Sequence, residues 1–167
     1  DDNHDSDIHI MSGENRVACV PDVVPKLIKA GFEVQIEKNA GLNAGFTDDQ
    51  FTKAGAKIVD SVEQLFSSAD ILLKVQRPIE NPSLYKHELD LMKKGSLLIA
   101  LAYVRHYTEV SKQCAEKGID FISMDVIPRT TLAQKMDALS SQANLAGYKS
   151  VLLAANELRK IFPMLMT

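Results

Sequence analysis

Three features are missing from this sequence: a basic stripe, a long apolar run and a cysteine cluster. Nineteen Lys and Arg against 22 Asp and Glu leave a formal net charge of −3. With no basic stripe along the chain, nucleic acid is excluded as the main partner. No run of eighteen apolar residues occurs, so no segment reads as a membrane-crossing helix. Cys19 and Cys114 are single and far apart, which gives neither a disulfide framework nor a metal pattern. They read as buried, reduced thiols in a non-oxidising compartment. His4 and His9 have no partners at ligand spacing, and no internal repeat is visible. The sequence does not open on Met, which points to a processed product or a piece of a longer chain.

What is present is ordinary globular composition, 46% apolar and 25% charged over 167 residues. Asp1 to Asp7 is acidic with no apolar residue and reads as a mobile leader. Ile8 to Met11 reads as a short first strand. Pro21 opens a helix that Gly31 stops, and Phe32 to Ile36 alternates as a strand. The loop Asn39 to Phe46 carries Gly41 and Gly45 but lacks the third glycine of a dinucleotide fingerprint. It reads as a structural turn, with Thr47-Asp48-Asp49 capping the next helix. Lys57 to Val59 is a strand, and Ser61 caps a helix ending near Ser68. Asp70 to Val75 is a nearly continuous apolar run, the pattern of a strand covered on both faces. Ser83 to Met92 reads as partly helical, Ser96 to Ala102 as a buried strand, Tyr107 to Glu116 as an amphipathic helix, and Ile119 to Met124 as the last strand. From about Ser141 to Phe162 a long helix spaces Tyr148, Val151, Leu152, Ala155, Leu158 and Phe162 helically, and Pro163 ends it.

Strands alternating with helices predict an α/β fold of flavodoxin- or Rossmann-like type, a parallel sheet with helices on both faces. The expected organisation is a leader and first strand over 1–12, an α/β lobe over 13–140, and a connecting helix over 141–167.

One stretch departs from core or solvated-helix composition. Arg129, Gln134, Asp137, Ser140, Ser141, Gln142 and Asn144 are short-range donors and acceptors, and they crowd into sixteen positions. Pro128 holds Ile127 away from helical dihedrals, so this stretch begins as a loop. With Ser140 or Ser141 as helix cap, a guanidinium, an amide, a carboxylate and a hydroxyl would gather near a helix N-terminus. That set suits a neutral carboxamide better than a phosphate. A hydrogen-bonded loop that merely joins two elements fits the residues as well.

The segment Met124 to Tyr148, MDVIPRTTLAQKMDALSSQANLAGY, closely resembles the proton-translocating NAD(P) transhydrogenases, at the start of their alpha subunit's NAD(H)-binding domain. Supporting similarity runs through Glu14-Asn-Arg-Val-Ala18, Gly31-Phe-Glu-Val34, Ala40-Gly41 and Leu72-Leu-Lys-Val75. The resemblance implies the first lobe of a two-lobed domain, with the glycine fingerprint for the pyrophosphate on the second lobe. It implies NAD(H) at Arg129, Gln134, Asp137 and Ser140, with Gln134 at the nicotinamide face and the others on the carboxamide. NADP(H) would bind another domain of the full enzyme. Expected partners are the second lobe, the NADP-binding and transmembrane domains, and a second copy in a homodimer. The expected location is the soluble face of a membrane complex, on the bacterial cytoplasmic side or at an organellar inner membrane.

Alanine dehydrogenases are related in fold and share the Arg-Val-Ala and Leu-Lys-Val segments. In that family the arginine and lysine, here Arg16 and Lys74, hold the substrate carboxylate, and a histidine acts on the substrate. Tyr103 stands where that histidine belongs, and His106 lies three residues on. An amino-acid dehydrogenase is therefore the alternative reading.

Overall fold

Thr47 and Ser61 start two of the helices where the sequence places them. The computed structural model describes residues 13–81 and 84–160. Pro21 begins a 3₁₀ turn that runs into α1 (Val24–Lys29), and Gly31, at φ 95°, takes the left-handed turn beyond it. Thr47 Oγ1 accepts from the Gln50 N–H and the Gln50 side chain accepts from the Thr47 N–H. This reciprocal box opens α2 (Asp48–Lys53). Ser61 accepts from the Gln64 N–H at the head of α3 (Val62–Ser68). Gly118, at φ 68°, closes α5 (Thr108–Lys117), as its position after the amphipathic run predicts.

The parallel α/β character is present. Strands β1 (Gln35–Glu37) and β2 (Lys57–Val59) pair in parallel. Strands β3 (Ile71–Gln76), β6 (Leu97–Leu101) and β7 (Asp120–Ser123) form a second parallel sheet in the order β3-β6-β7. Each expected strand within the described residues is found, while Ile8 to Met11 lies outside them. The sequence reading passed over one pairing. Strands β4 (Glu80–Asn81) and β5 (Lys86–His87) make a small antiparallel hairpin, so only Glu88–Leu91 (α4) of the expected Ser83–Met92 helix is helical. Asn81 explains the change: its buried side chain accepts from the Leu84 N–H and fixes the turn.

Two apolar clusters hold the strands. One gathers Phe66, Leu72, Leu89, Leu98, Val110 and Cys114 around the three-stranded sheet. The other gathers Cys19, Val24, Val34, Ile36, Phe51 and Ala56 beside the two-stranded sheet. Each fully buried side chain such as Leu98 or Phe51 contributes about 1.5–3 kcal/mol. Gly41 belongs to this packing. A Cβ there would lie 2.6 Å from the Phe51 ring and 2.9 Å from the Phe46 carbonyl oxygen, so the loop's glycine serves a close approach within the fold.

Strand β3 departs from expectation. Ile71 and Leu73 are 40% and 39% exposed, so this apolar run is not covered on both faces by described residues. They line a cleft of about 730 Å³ that runs between β1 and β3.

Contacts divide the chain into two units, one ending at Ser123 and one beginning at Met124. The second unit carries α6 (Ala138–Glu157), none of whose residues is buried. Its start is three residues earlier than the serine-capped helix expected at Ser141, and Phe162 and Pro163 lie outside the described residues. No helix among those residues is long and apolar enough to cross a membrane.

Candidate functional site

In the unit from Met124 on, the polar stretch is a chain of tight turns leading into α6. The Thr130 N–H donates to the Pro128 carbonyl at 2.9 Å and the Ala133 N–H to Thr130 at 3.1 Å. The Met136 N–H donates to Ala133 at 2.8 Å, closing the 3₁₀ turn Gln134–Met136. Ala133 is buried beneath these turns, whereas Leu132 beside it is 93% exposed.

The helix cap is Asp137, not Ser140 or Ser141. One Asp137 oxygen accepts from the Ser140 N–H at 2.9 Å, and the other accepts from the Ser140 hydroxyl at 2.6 Å. An ionised aspartate is as good a cap as serine, and here the following serine serves it as donor. The Ser140 hydroxyl, then its N–H, hold the Asp137 carboxyl below the usual range, and Arg129 adds to the effect by charge. The structure thus brings Asp137 and Ser140 into contact and sets Arg129 within electrostatic reach. Gln134 joins through its backbone, accepting from the Asp137 N–H at 3.3 Å, and its side chain is exposed.

These residues fit a carboxamide. A carboxylate has about four acceptor positions; Ser140 takes two and the Leu139 N–H also donates, so Asp137 retains capacity for about one amide N–H. Exposed Arg129 can donate to the amide oxygen, and the Gln134 side chain is both donor and acceptor.

The unit ending at Ser123 holds the rival pair of cations, and both already carry carboxylates. Arg16 grips Glu14 with two prongs, Nε to Oε1 at 2.7 Å and Nη2 to Oε2 at 2.6 Å. The Gln76 amide donates to the same Glu14 Oε2 at 2.6 Å. These bonds, chiefly that from Arg16, hold the Glu14 carboxyl down to about 2. Lys74 is ion-paired with Glu88, which is fully buried and also accepts from the Ile79 N–H at 3.0 Å. A register shift in β3 between Leu73 and Gln76 lies at Lys74. Such bulges re-aim side chains.

Tyr103 sits just past β6 with φ 51°, an uncommon conformation for a tyrosine. Its carbonyl accepts from the His106 and Tyr107 N–H groups. Arg77 lies over the Tyr107 ring at 3.9 Å from its centre, a cation–π contact. Both cysteines are buried and free of any disulfide, Cys19 Sγ donates to the Val20 carbonyl at 3.7 Å, and burial pushes both thiols up. No group of three or more metal-ligating side chains occurs among the described residues.

Sequence reasoning missed the two acids that neutralise the cations. Glu14 is legible in hindsight, since it precedes Arg16 by two residues. Glu88 is not, because fourteen residues and a hairpin separate it from Lys74.

The alanine dehydrogenase/PNT N-terminal domain model matches residues 9–146. This chain belongs to that family. Within it, similarity runs to both branches. An NAD(P) transhydrogenase subunit alpha polypeptide of Rhodospirillum rubrum is 43% identical over 155 residues, covering 93% of this chain and 40% of that protein. Alanine dehydrogenase 1 of Staphylococcus aureus is 34% identical over 146 residues, covering 87% and 36%. The crystal structure of transhydrogenase from Sinorhizobium meliloti superposes with a TM-score of 0.82 at 38% identity, over 95% of this chain and 46% of that one. This N-terminal domain therefore spans less than half the length of the relatives it matches.

Proposed function

We propose that this domain is the portion of an NAD(P) transhydrogenase that positions the nicotinamide of NADH. NADH supplies the hydride, and NADP on another domain receives it. Arg129, Asp137 and Ser140 hold the carboxamide, and Gln134 sets the ring's aim toward the partner cofactor. Direct transfer between two nicotinamides requires no acid, base or nucleophile from these residues, only fixed orientation. The reading extends to coupling with proton movement in a membrane complex. There this domain would sit on the soluble face with its second lobe, the NADP-binding and transmembrane domains, and a second copy.

The observation that carries the reading is Asp137. Its carboxylate anchors the start of α6 while keeping acceptor capacity, so a cofactor amide bound there is registered to a helix rather than to a free loop. Against the alanine dehydrogenase branch stand Arg16 and Lys74, both occupied by internal carboxylates, with Tyr103 in the place of the histidine.

The test is Gln134→Asn in the whole protein that carries this domain. The shortened amide should lower the rate of reduction of an NADP analogue by NADH about a hundredfold or more, with NADH affinity changed less than about threefold. A variant that lost affinity and kept its rate would make Gln134 an anchor. Turnover with pyruvate, ammonia and NADH in the wild-type protein would favour the dehydrogenase branch.

A further inference from the structure

Arg77 follows β3 directly and is partly buried, its Cζ 3.9 Å from the centre of the Tyr107 ring. Among the described residues, no hydrogen-bond acceptor or carboxylate engages its N–H groups. Arg16 and Lys74 differ in this, since Glu14 and Glu88 are paired with them. Leaving the planar donors of a partly buried cation short of acceptors costs free energy, which a bound anion returns. The Tyr107 ring is set by an uncommon turn. Tyr103 stands just past β6 at φ 51°, and its carbonyl accepts from the His106 and Tyr107 N–H groups at 2.8 and 3.0 Å. Non-glycine residues held in this region cost energy, and they gather at ligand clamps. The same turn exposes Arg105 and His106, and among the described residues no carboxylate pairs with either. Strands β3 and β6 are parallel neighbours, so Arg77 and this turn share the carboxyl end of the sheet. Ligands of open parallel sheets collect at that end.

We propose that Arg77, stacked on Tyr107, binds a phosphoryl group, with Arg105 as the second cation. A planar guanidinium offers parallel N–H donors to carboxylate and phosphate alike. Charge selects between them. A carboxylate brings one negative charge, whereas a phosphate monoester brings nearly two at neutral pH, enough for both arginines. Stacking on Tyr107 fixes the plane of the fork before the ligand arrives, so less side-chain freedom is lost on binding. The residues all belong to the unit that ends at Ser123. The proposal is therefore independent of the carboxamide reading of Arg129, Gln134, Asp137 and Ser140, whose chemistry suits a neutral amide.

The test is a titration of the isotopically labelled 167-residue chain with inorganic phosphate, adenosine monophosphate and acetate, followed by NMR. The Arg77 Nε–H and Tyr107 amide resonances should shift together and saturate with phosphate, at a midpoint below about 10 mM. Acetate should bind more weakly. Equal affinity for the two phosphates would make the phosphoryl group the whole ligand, and tighter binding of the nucleotide would make a nucleotide the source; either supports the site. Arg77→Lys keeps the charge but loses the stacked fork, so phosphate affinity read at Tyr107 should fall about tenfold or more. Unchanged affinity in that variant would overturn the proposal, as would acetate binding as tightly as phosphate. So would the absence of saturation with either phosphate in the wild type. Should Arg77→Lys fail to fold, the wild-type titrations alone decide.

Discussion

Arg16 and Glu14 form a two-pronged ion pair, with both carboxylate oxygens engaged and Gln76 closing on one of them. The geometry is the strong, directional kind that planar guanidinium permits. Glu14→Gln should destabilise the chain by about 1.5–3 kcal/mol at neutral pH, read from denaturant midpoints. The sign with pH follows from the depressed carboxyl. Stability from Glu14 is fully present above its ordinary 4.5 and fades as pH falls through about 2. The Gln variant should lose that slope between pH 4.5 and 2, so its stability should converge on wild type in acid.

Lys74→Met removes the cation paired with the buried Glu88 carboxylate, which still accepts from the Ile79 N–H. Removing one member of a buried pair destabilises by about 3–5 kcal/mol, while Lys74→Met with Glu88→Gln should recover much of the loss. Thermal unfolding of the single and double variants checks this. In the whole protein, the folded Lys74→Met variant should keep NADH-to-NADP transfer within about tenfold, since a structural lysine touches no cofactor. A thousandfold loss in folded protein would place Lys74 in the site.

Asp137 caps α6, and in the proposed reading it also accepts from the cofactor amide; substitution separates the two. Asp137→Ala removes the cap and should weaken α6, visible as lost helical circular dichroism. Asp137→Asn keeps a capping oxygen and should restore the helix signal. It offers the cofactor amide a weaker acceptor, so in the whole protein its NADH affinity should stay below wild type. Recovery of both properties together in Asp137→Asn would confine Asp137 to capping.

Much of this was legible because it is local. Thr47 and Ser61 announce helices α2 and α3 through caps that reach three residues, and Gly118 announces an end through its own dihedral. The alternation of strands and helices likewise carries the α/β class. Where the sequence misled, the deciding contact was either non-local or shared between two plausible residues. Asp137, Ser140 and Ser141 can each cap a helix, and only geometry selects Asp137. The β4–β5 hairpin rests on backbone pairing with no hydrophobic rhythm, and Glu88 reaches Lys74 across it. The polar stretch stood out by composition, but which of its residues would meet a cofactor came only from the resemblance. Their roles were not legible, since a capping carboxylate and a ligand-holding one use the same atoms.

Helix α6 spans about 30 Å at 1.5 Å per residue, yet it has no buried side chain, and Leu145, Tyr148, Val151 and Leu152 stand in solvent. In proteins most helical stability comes from packing an apolar face rather than from helix propensity. Asp137 and Ser140 are thus the hinge pin of an element whose rigidity must be lent by whatever covers that face. In the proposed reading, aiming a cofactor from this end would then depend on what covers that face.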